Sequence, residues 1–233
     1  MILVATGLKQ ELNILEGAGV LVVAGGGDGG RLERELEDAA GDAEAVISMG
    51  LCGALTPDLK PGDWVVASEV FFSPLIPGNE RNLYRTDAAW SAVLVRALRA
   101  KSGSVLGSDA MIASAAAKAD AHAATAALAV DMESHIAAAV ARRHNLPFAV
   151  ARVVSDAADR SLPRAAQAGM AADGSMDVGA VLRALAADPR QLPALIRVGA
   201  EAGKAFRELR RGRDFLGPGL GRSDVGELPL NVA

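Results

Sequence analysis

Short apolar runs recur along the chain at Ile2–Ala5, Val20–Ala24, Ala45–Met49, Trp64–Ser68, Ser104–Leu106, Leu128–Val130 and Phe148–Val154. Most are of strand length and rich in Val, Ile and Leu. Longer stretches at Arg31–Ala40, Asp87–Ala100 and Ser134–His144 lie between them and read as helices. Strands alternating with helices predict an α/β layered sandwich with a largely parallel sheet. Lys60-Pro61-Gly62-Asp63 is a turn that delivers the chain into Trp64–Ser68, and Pro74–Arg85 reads as a loop able to cover a site. Leu192–Arg213 carries Leu192, Leu195, Ile196, Val198, Ala202, Phe206 and Leu209 broadly on one helical face, interrupted by Gly199 and Gly203. The expected division is a main domain over 1–190 and a C-terminal amphipathic helix and tail over 191–233, with Gly217–Ala233 loosely ordered.

Composition narrows the classes. A chain of 233 residues is long enough to bury a substantial core as one domain. Hydrophobic residues make up 51% and aromatics only 3%, so Ala, Val and Leu must build that core. The formal charge of −4 offers no general attraction for nucleic acid. No run reaches the roughly 18 apolar residues needed to span a bilayer. Met1–Ala5 enters a strand directly with no basic leader, and Cys52 alone excludes an intramolecular disulfide framework. The expected location is the cytoplasm. His122, His135 and His144 show no metal-ligand spacing, so no metal is expected. No Lys-Ser/Thr pair follows the glycines of Gly25–Gly30, which excludes an ATP-type P-loop.

The passage that says most is Asp131-Met132-Glu133, followed one helix and one strand later by Arg152-Val153-Val154-Ser155-Asp156. Strand, helix, strand places both acids at the carboxyl ends of strands, the edge where open α/β sheets bind ligands. A Glu and an Asp aimed at one crevice suit acid–base work on a bond to a sugar.

This passage resembles the purine nucleoside phosphorylase/nucleosidase superfamily, particularly the methylthioadenosine/S-adenosylhomocysteine nucleosidases. The resemblance implies a three-layer α/β/α sandwich with a central mixed sheet. It also implies that Met132 and Glu133 grip the ribose, with Glu133 on the 2′-hydroxyl, and that Asp156 protonates the departing purine. Only Lys9–Gly19 separates Gly7 from the second strand, so the sheet should lack a hairpin near its N-terminus. That shortening resembles the hopanoid-associated phosphorylases, which act on adenosylhopane.

Other landmarks follow in order. Ser48-Met49-Gly50-Leu51-Cys52-Gly53 matches the family's turn under the sugar, where Gly50 and Gly53 allow close approach of backbone to ligand. Hexameric phosphorylases carry an Arg and a Ser where this chain has Ser48 and Leu51, which puts phosphate as nucleophile in doubt. Gly25, Gly26 and Gly27 precede a helix and present either an anion cradle for phosphate or water, or a plain turn. Glu11 stands near the nucleosidases' water-activating Glu, one residue short of register; pointing inward it orients water, pointing outward it is an ordinary helix acid. Ser108–Ile112 matches the purine-holding segment, with Met111 in place of the usual aromatic and Ile112 beside it; Ser155 joins Asp156 at the base. Arg152 reads as a buried guanidinium paired with acids. Cys52 reads as a small core residue.

The expected activity is therefore cleavage of an adenosine-type N-glycosidic bond with release of adenine, on adenosylhopane by the branch it resembles. A methylthioadenosine-type nucleosidase and a catalytically silent ligand-binding relative are the alternatives. No cofactor is needed, with inorganic phosphate as the one candidate co-substrate. Expected partners are the nucleoside, in lipid-linked form on the hopanoid reading, and a second copy of the chain in a homo-oligomer. Arg197, Lys204, Arg207, Arg210, Arg211 and Arg213 would let the C-terminal helix lie on an anionic membrane, cover an apolar pocket or meet a partner subunit.

Overall fold

The computed structural model describes residues 1–72, 83–169, 174–175 and 177–222. Strand β1 (Ile2–Thr6) leads through α1 (Lys9–Leu15) to β2 (Val20–Ala24), and α2 (Gly29–Ala40) returns the chain to β3 (Ala45–Ala54). Strands β4 (Trp64–Phe72) and β5 (Leu83–Arg85) precede α3 (Ala88–Leu98) and β6 (Lys101–Gly107). Then come α4 (Ala115–Thr125), β7 (Ala129–Asp131), α5 (Ser134–Arg143) and β8 (Phe148–Asp156). Helices α6 (Arg164–Ala168), α7 (Val178–Ala187) and α8 (Leu192–Leu216) follow.

The sheet is mixed and partly closed. Its order is β2-β1-β3-β7-β6-β4-β5, and β8 bridges β3 and β4. Strand β8 runs parallel to β3 and antiparallel to β4, while β7 meets the far end of β3 antiparallel. Strands β3, β8, β4, β6 and β7 thus form a ring, from which β1 and β2 extend. Only α1 lies between β1 and β2. Alternation along the strands divides the core between two faces. Val46, Phe148, Val150 and Val154 pack with Leu32 and Leu36 of α2 and Val140 of α5. Ala45, Ile47, Ala149 and Val153 pack on the opposite face with Leu15 of α1, Leu94 of α3 and Leu209 of α8. The expected three layers result.

Several elements escaped the sequence pattern, among them β5, α4 and α7. Leu83–Arg85 lies in what reads as a loop but pairs antiparallel with β4, while the loop's residues 74–82 lie outside the described residues. Helix α4 buries only Lys118, so it has no apolar stripe to reveal it; Ala content and the Ser114 cap, which accepts from the Ala117 N–H, set it instead. Helix α7 buries no residue at all.

The C-terminal helix divides into two halves. It runs unbroken through Gly199 and Gly203. Ala205, Leu209, Gly212 and Leu216 are buried, and a Cβ at Gly212 would stand 2.4 Å from the Trp64 ring, so only glycine lets the helix sit this close. Arg213 is not part of a basic surface: it is buried, and its Nε donates to the Leu15 carbonyl at 2.9 Å. The amino half is different, with Leu192 and Ile196 exposed. The expectation of a loose tail is corrected for 217–222. Leu220 is fully buried and its carbonyl accepts from Trp90 Nε1 at 2.8 Å. Residues 223–233 lie outside the described residues.

Candidate active site

The end of β3 organises the site, because β7 and β8 approach it from either side. Four donors converge on Glu11, which points inward and is buried. Its Oε2 accepts from Thr6 Oγ1, Gly7 N–H and Leu8 N–H at 2.7, 2.8 and 2.6 Å. Its Oε1 accepts from the Leu51 N–H at 2.7 Å. The carboxylate thus clamps the β1–α1 turn to the Gly50–Leu51 corner. A Cβ at Gly50 would lie 2.8 Å from Glu11 Oε1 and 2.9 Å from Arg152 Nη1, so no side chain fits there.

Glu133 comes from the opposite direction. Asp131, the last residue of β7, accepts from the N–H groups of Glu133 and Ser134 at 3.0 and 2.7 Å, which turns the chain into α5. That turn brings Glu133 Oε1 over Gly7, where a Cβ would stand 2.8 Å from it. Met132 is half-buried beside it and, like Glu133, lines the cavity described below.

Arg152 of β8 neutralises this end of the site. It is fully buried, with Nε 3.1 Å from Asp131 Oδ2 and Nη2 3.1 Å from Glu133 Oε2. The Nε contact lies off the N–H direction, so it is an ionic contact more than a hydrogen bond. Arg152 also donates to Ser48 Oγ, and to the Leu51 carbonyl at 3.3 Å. Ser48, the residue that departs from the phosphorylase pattern, is thus a partner of this guanidinium. Burial, opposed by Arg152 and reinforced by Asp131 and Glu11, pushes the Glu133 carboxyl up to about 8.

This has a consequence for stability. The folded protein keeps a proton on Glu133 that the unfolded chain has already released above its ordinary carboxylate range. The contribution is present below that range and is lost as pH rises through about 8. Glu133→Gln should therefore lose less melting temperature than the wild type between about pH 5 and pH 8. Parallel melting curves for the two proteins across that window would contradict a neutral buried Glu133.

Asp156 closes β8 on the other side of β3. A Cβ at Gly53 would stand 3.2 Å from its Oδ2. Ser155 Oγ lies 2.8 Å from Asp156 Oδ1 and 3.0 Å from the Cys52 carbonyl, so its one proton serves either acceptor. Lys118 Nζ pairs with Asp156 Oδ2. The sequence reading did not single out Lys118. The loops around it are laced together: the Leu162 N–H donates to the Ala113 carbonyl and the Ala115 N–H to Ser161 Oγ. On the same side, Met111 is half-buried, and Ile112 packs against the cluster of Leu55, Leu106 and Val130. Burial pushes the Cys52 thiol up, as expected of a core residue.

A cavity of about 410 Å³ runs from Gly25–Gly27 past Met132 and Glu133 to Phe72, Tyr84 and Ile136. Asp156 is not among its lining residues. The glycine turn is less open than its sequence suggests. The Gly25 and Gly26 N–H groups donate to the Thr6 and Gly7 carbonyls at 2.8 and 2.7 Å, which ties the turn to β1. Asp28 Oδ1 caps α2 by accepting from the Arg31 N–H at 2.9 Å, placing a carboxylate where an anion would bind. Arg31 Nη2 folds back onto the Ala24 and Gly25 carbonyls at 3.0 and 2.9 Å. Of the two readings of this turn, the bonds made by the Gly25 and Gly26 amides favour the plain one. His135 also lines the cavity, stacked on Phe72 at 4.5 Å and with Nε2 3.0 Å from Asp109. Among the described residues no cluster of His, Cys, Asp and Glu is arranged to hold a metal.

The fold is shared with several solved enzymes. It is similar to the 5′-methylthioadenosine/S-adenosylhomocysteine nucleosidase from Helicobacter pylori, with a TM-score of 0.60 at 16% identity over 90% of this chain and 96% of that one. The futalosine hydrolase of Helicobacter pylori gives 0.59 at 16%, over 90% and 95%. A Colwellia psychrerythraea nucleosidase of the first kind, in complex with adenine, gives 0.56 at 21%, over 67% and 82%. The family model described as the phosphorylase superfamily matches residues 21–187, and on that match the chain belongs to the phosphorylase superfamily.

Proposed function

We propose that this chain cleaves the N-glycosidic bond of an adenosine-type nucleoside and releases adenine. The observation that carries the reading is the pair of buried acids flanking one strand end, Glu133 toward Gly7 and Asp156 toward Gly53. Breaking the bond leaves positive charge on the ribosyl ring and negative charge on the purine. Glu133 accepts from the ribose 2′-hydroxyl and, in its ionised form, stabilises the cationic ring by its charge. Asp156, with Ser155 fixing one oxygen, delivers a proton to N7 of the base. Met132 and Gly50 bound the ribose, and Met111 and Ile112 supply apolar surface for the purine.

Water is the favoured nucleophile. Glu11 Oε2 is saturated by its donors, but Oε1 accepts one bond and has a lone pair left to orient water. The Asp28 cap and the committed amides of Gly25 and Gly26 count against phosphate at that turn. No redox or metal step enters the reaction.

The substrate reading follows the hopanoid-associated resemblance: adenosylhopane, with its apolar group along the cavity side lined by Leu32, Phe72, Tyr84 and Ile136. Val178, Leu182, Leu192 and Ile196 are exposed on α7 and the amino half of α8, and no helix among the described residues is long and apolar enough to cross a membrane. That face suits peripheral contact with lipid. Replacing Leu182, Leu192 and Ile196 by Ser should weaken binding to anionic liposomes while sparing a small nucleoside. Phe206 is left out because it packs against the core. A loss of concentration-dependent self-association, with liposome binding unchanged, would assign the face to a homo-oligomer instead. The substrate is tested by comparing kcat/KM for adenosylhopane and methylthioadenosine. A preference for the thio-nucleoside would replace the lipid-linked reading with a methylthioadenosine-type one.

A further inference from the structure

Lys118 is fully buried, which is rare for a lysine unless it is paired. Its ammonium pairs with Asp156 Oδ2 and donates to the Ala157 and Arg160 carbonyls at 2.9 and 3.1 Å. Every donor of the ammonium has a partner, and all lie in the stretch that ends β8 and leaves it. Helix α4 buries nothing else, so its one inward side chain is committed to the candidate acid. In an ion pair the proton sits on the amine, and Asp156 by itself has none to give.

We propose that Lys118 is a positioning residue that supplies, through Asp156, the proton delivered to the leaving purine. This rests on the assignment of Asp156 as the acid. The proton leaves Lys118 Nζ for Asp156 Oδ2 and passes from there to N7 of the base. The bond from the sugar carbon to N9 breaks with its electron pair on the purine, which departs neutral. Water captures the ribosyl cation and loses a proton to solvent, and Lys118, left neutral, regains one from solvent after product release. The arrangement lets a carboxylate paired with an ammonium act as an acid when the purine N7 accepts from it.

The test uses substrates that differ in their need for a proton. An N7-methylated adenosine is already cationic at the base and leaves without protonation. Lys118→Met should lower kcat on adenosine-type nucleosides by roughly 10²-fold, the scale of positioned proton transfer, with KM little changed. Turnover of the N7-methylated nucleoside should stay near that of the wild type. Equal losses on both substrates, or no loss on either, would overturn the proposal. Because the single variant leaves Asp156 buried without its cation, the double variant Lys118→Met/Asp156→Asn guards against misfolding. It should match Asp156→Asn alone on adenosine-type nucleosides, as residues acting as a unit do. An additional, additive loss would overturn the proposal. If Asp156→Asn itself spares those nucleosides, the acid assignment fails. If Asp156→Asn is impaired and Lys118→Met is not, only the role of Lys118 fails.

Discussion

Asp156→Asn is expected to reduce kcat on an adenosine-type nucleoside by roughly 10²-fold or more while leaving the fold intact. The amide keeps the size of the carboxyl: its oxygen can accept from Lys118 while its NH2 donates to Ser155 Oγ, whose own proton can go to the Cys52 carbonyl, so the end of β8 can keep its place. It cannot take up a proton from the ammonium and pass it on. The loss should therefore appear in turnover, beyond any fall in thermal stability that comes from leaving the buried Lys118 ammonium without its counter-charge. Near-normal turnover by the variant would remove Asp156 from the acid role.

Removing the charge at Arg152 should have the largest effect on stability. The guanidinium is fully buried between Asp131 and Glu133, at 3.1 Å from each, and also ties Ser48 and the Leu51 carbonyl. Arg152→Met leaves two buried acids without a cation. Breaking a buried ion pair in this way typically costs roughly 3–5 kcal/mol. Glu133 can recover part of that by staying protonated, because burial already pushes it to about 8. Asp131 has less freedom, since its carboxylate accepts the two N–H groups that open α5. The variant should therefore unfold at markedly lower denaturant concentration, and more so at alkaline pH. A midpoint within error of the wild type would mean that Arg152 is dispensable to the site's architecture.

The strand–helix rhythm and the two acids were legible because both follow from period and position. A strand's carboxyl end is recognisable from its apolar run, and the acids stand at or just beyond such ends. Glu11 was legible only as a pair of alternatives, because a one-residue slip on a helix turns a side chain by about 100°. Its inward direction depends on the Leu51 N–H, forty residues away. Lys118 left no signal, since an Ala-rich helix without an apolar stripe reads as surface. Its burial comes from carbonyls near residue 160 that no local pattern announces. The glycine turn was likewise legible only as alternatives, because the carbonyls that take the Gly25 and Gly26 amides belong to Thr6 at the end of the neighbouring strand and to Gly7 just after it. The C-terminal helix looked uniformly amphipathic, whereas Gly212 against Trp64 makes its second half part of the core.

Quantifying adenine and the sugar product after incubation with adenosine derivatives, with and without inorganic phosphate, tests the central claim most directly. Cleavage should release one adenine per sugar, at the same rate without phosphate, and the sugar should carry a free anomeric hydroxyl. Intact nucleoside under every condition would contradict glycosidic cleavage. A dominant sugar 1-phosphate in phosphate buffer would contradict water as the nucleophile.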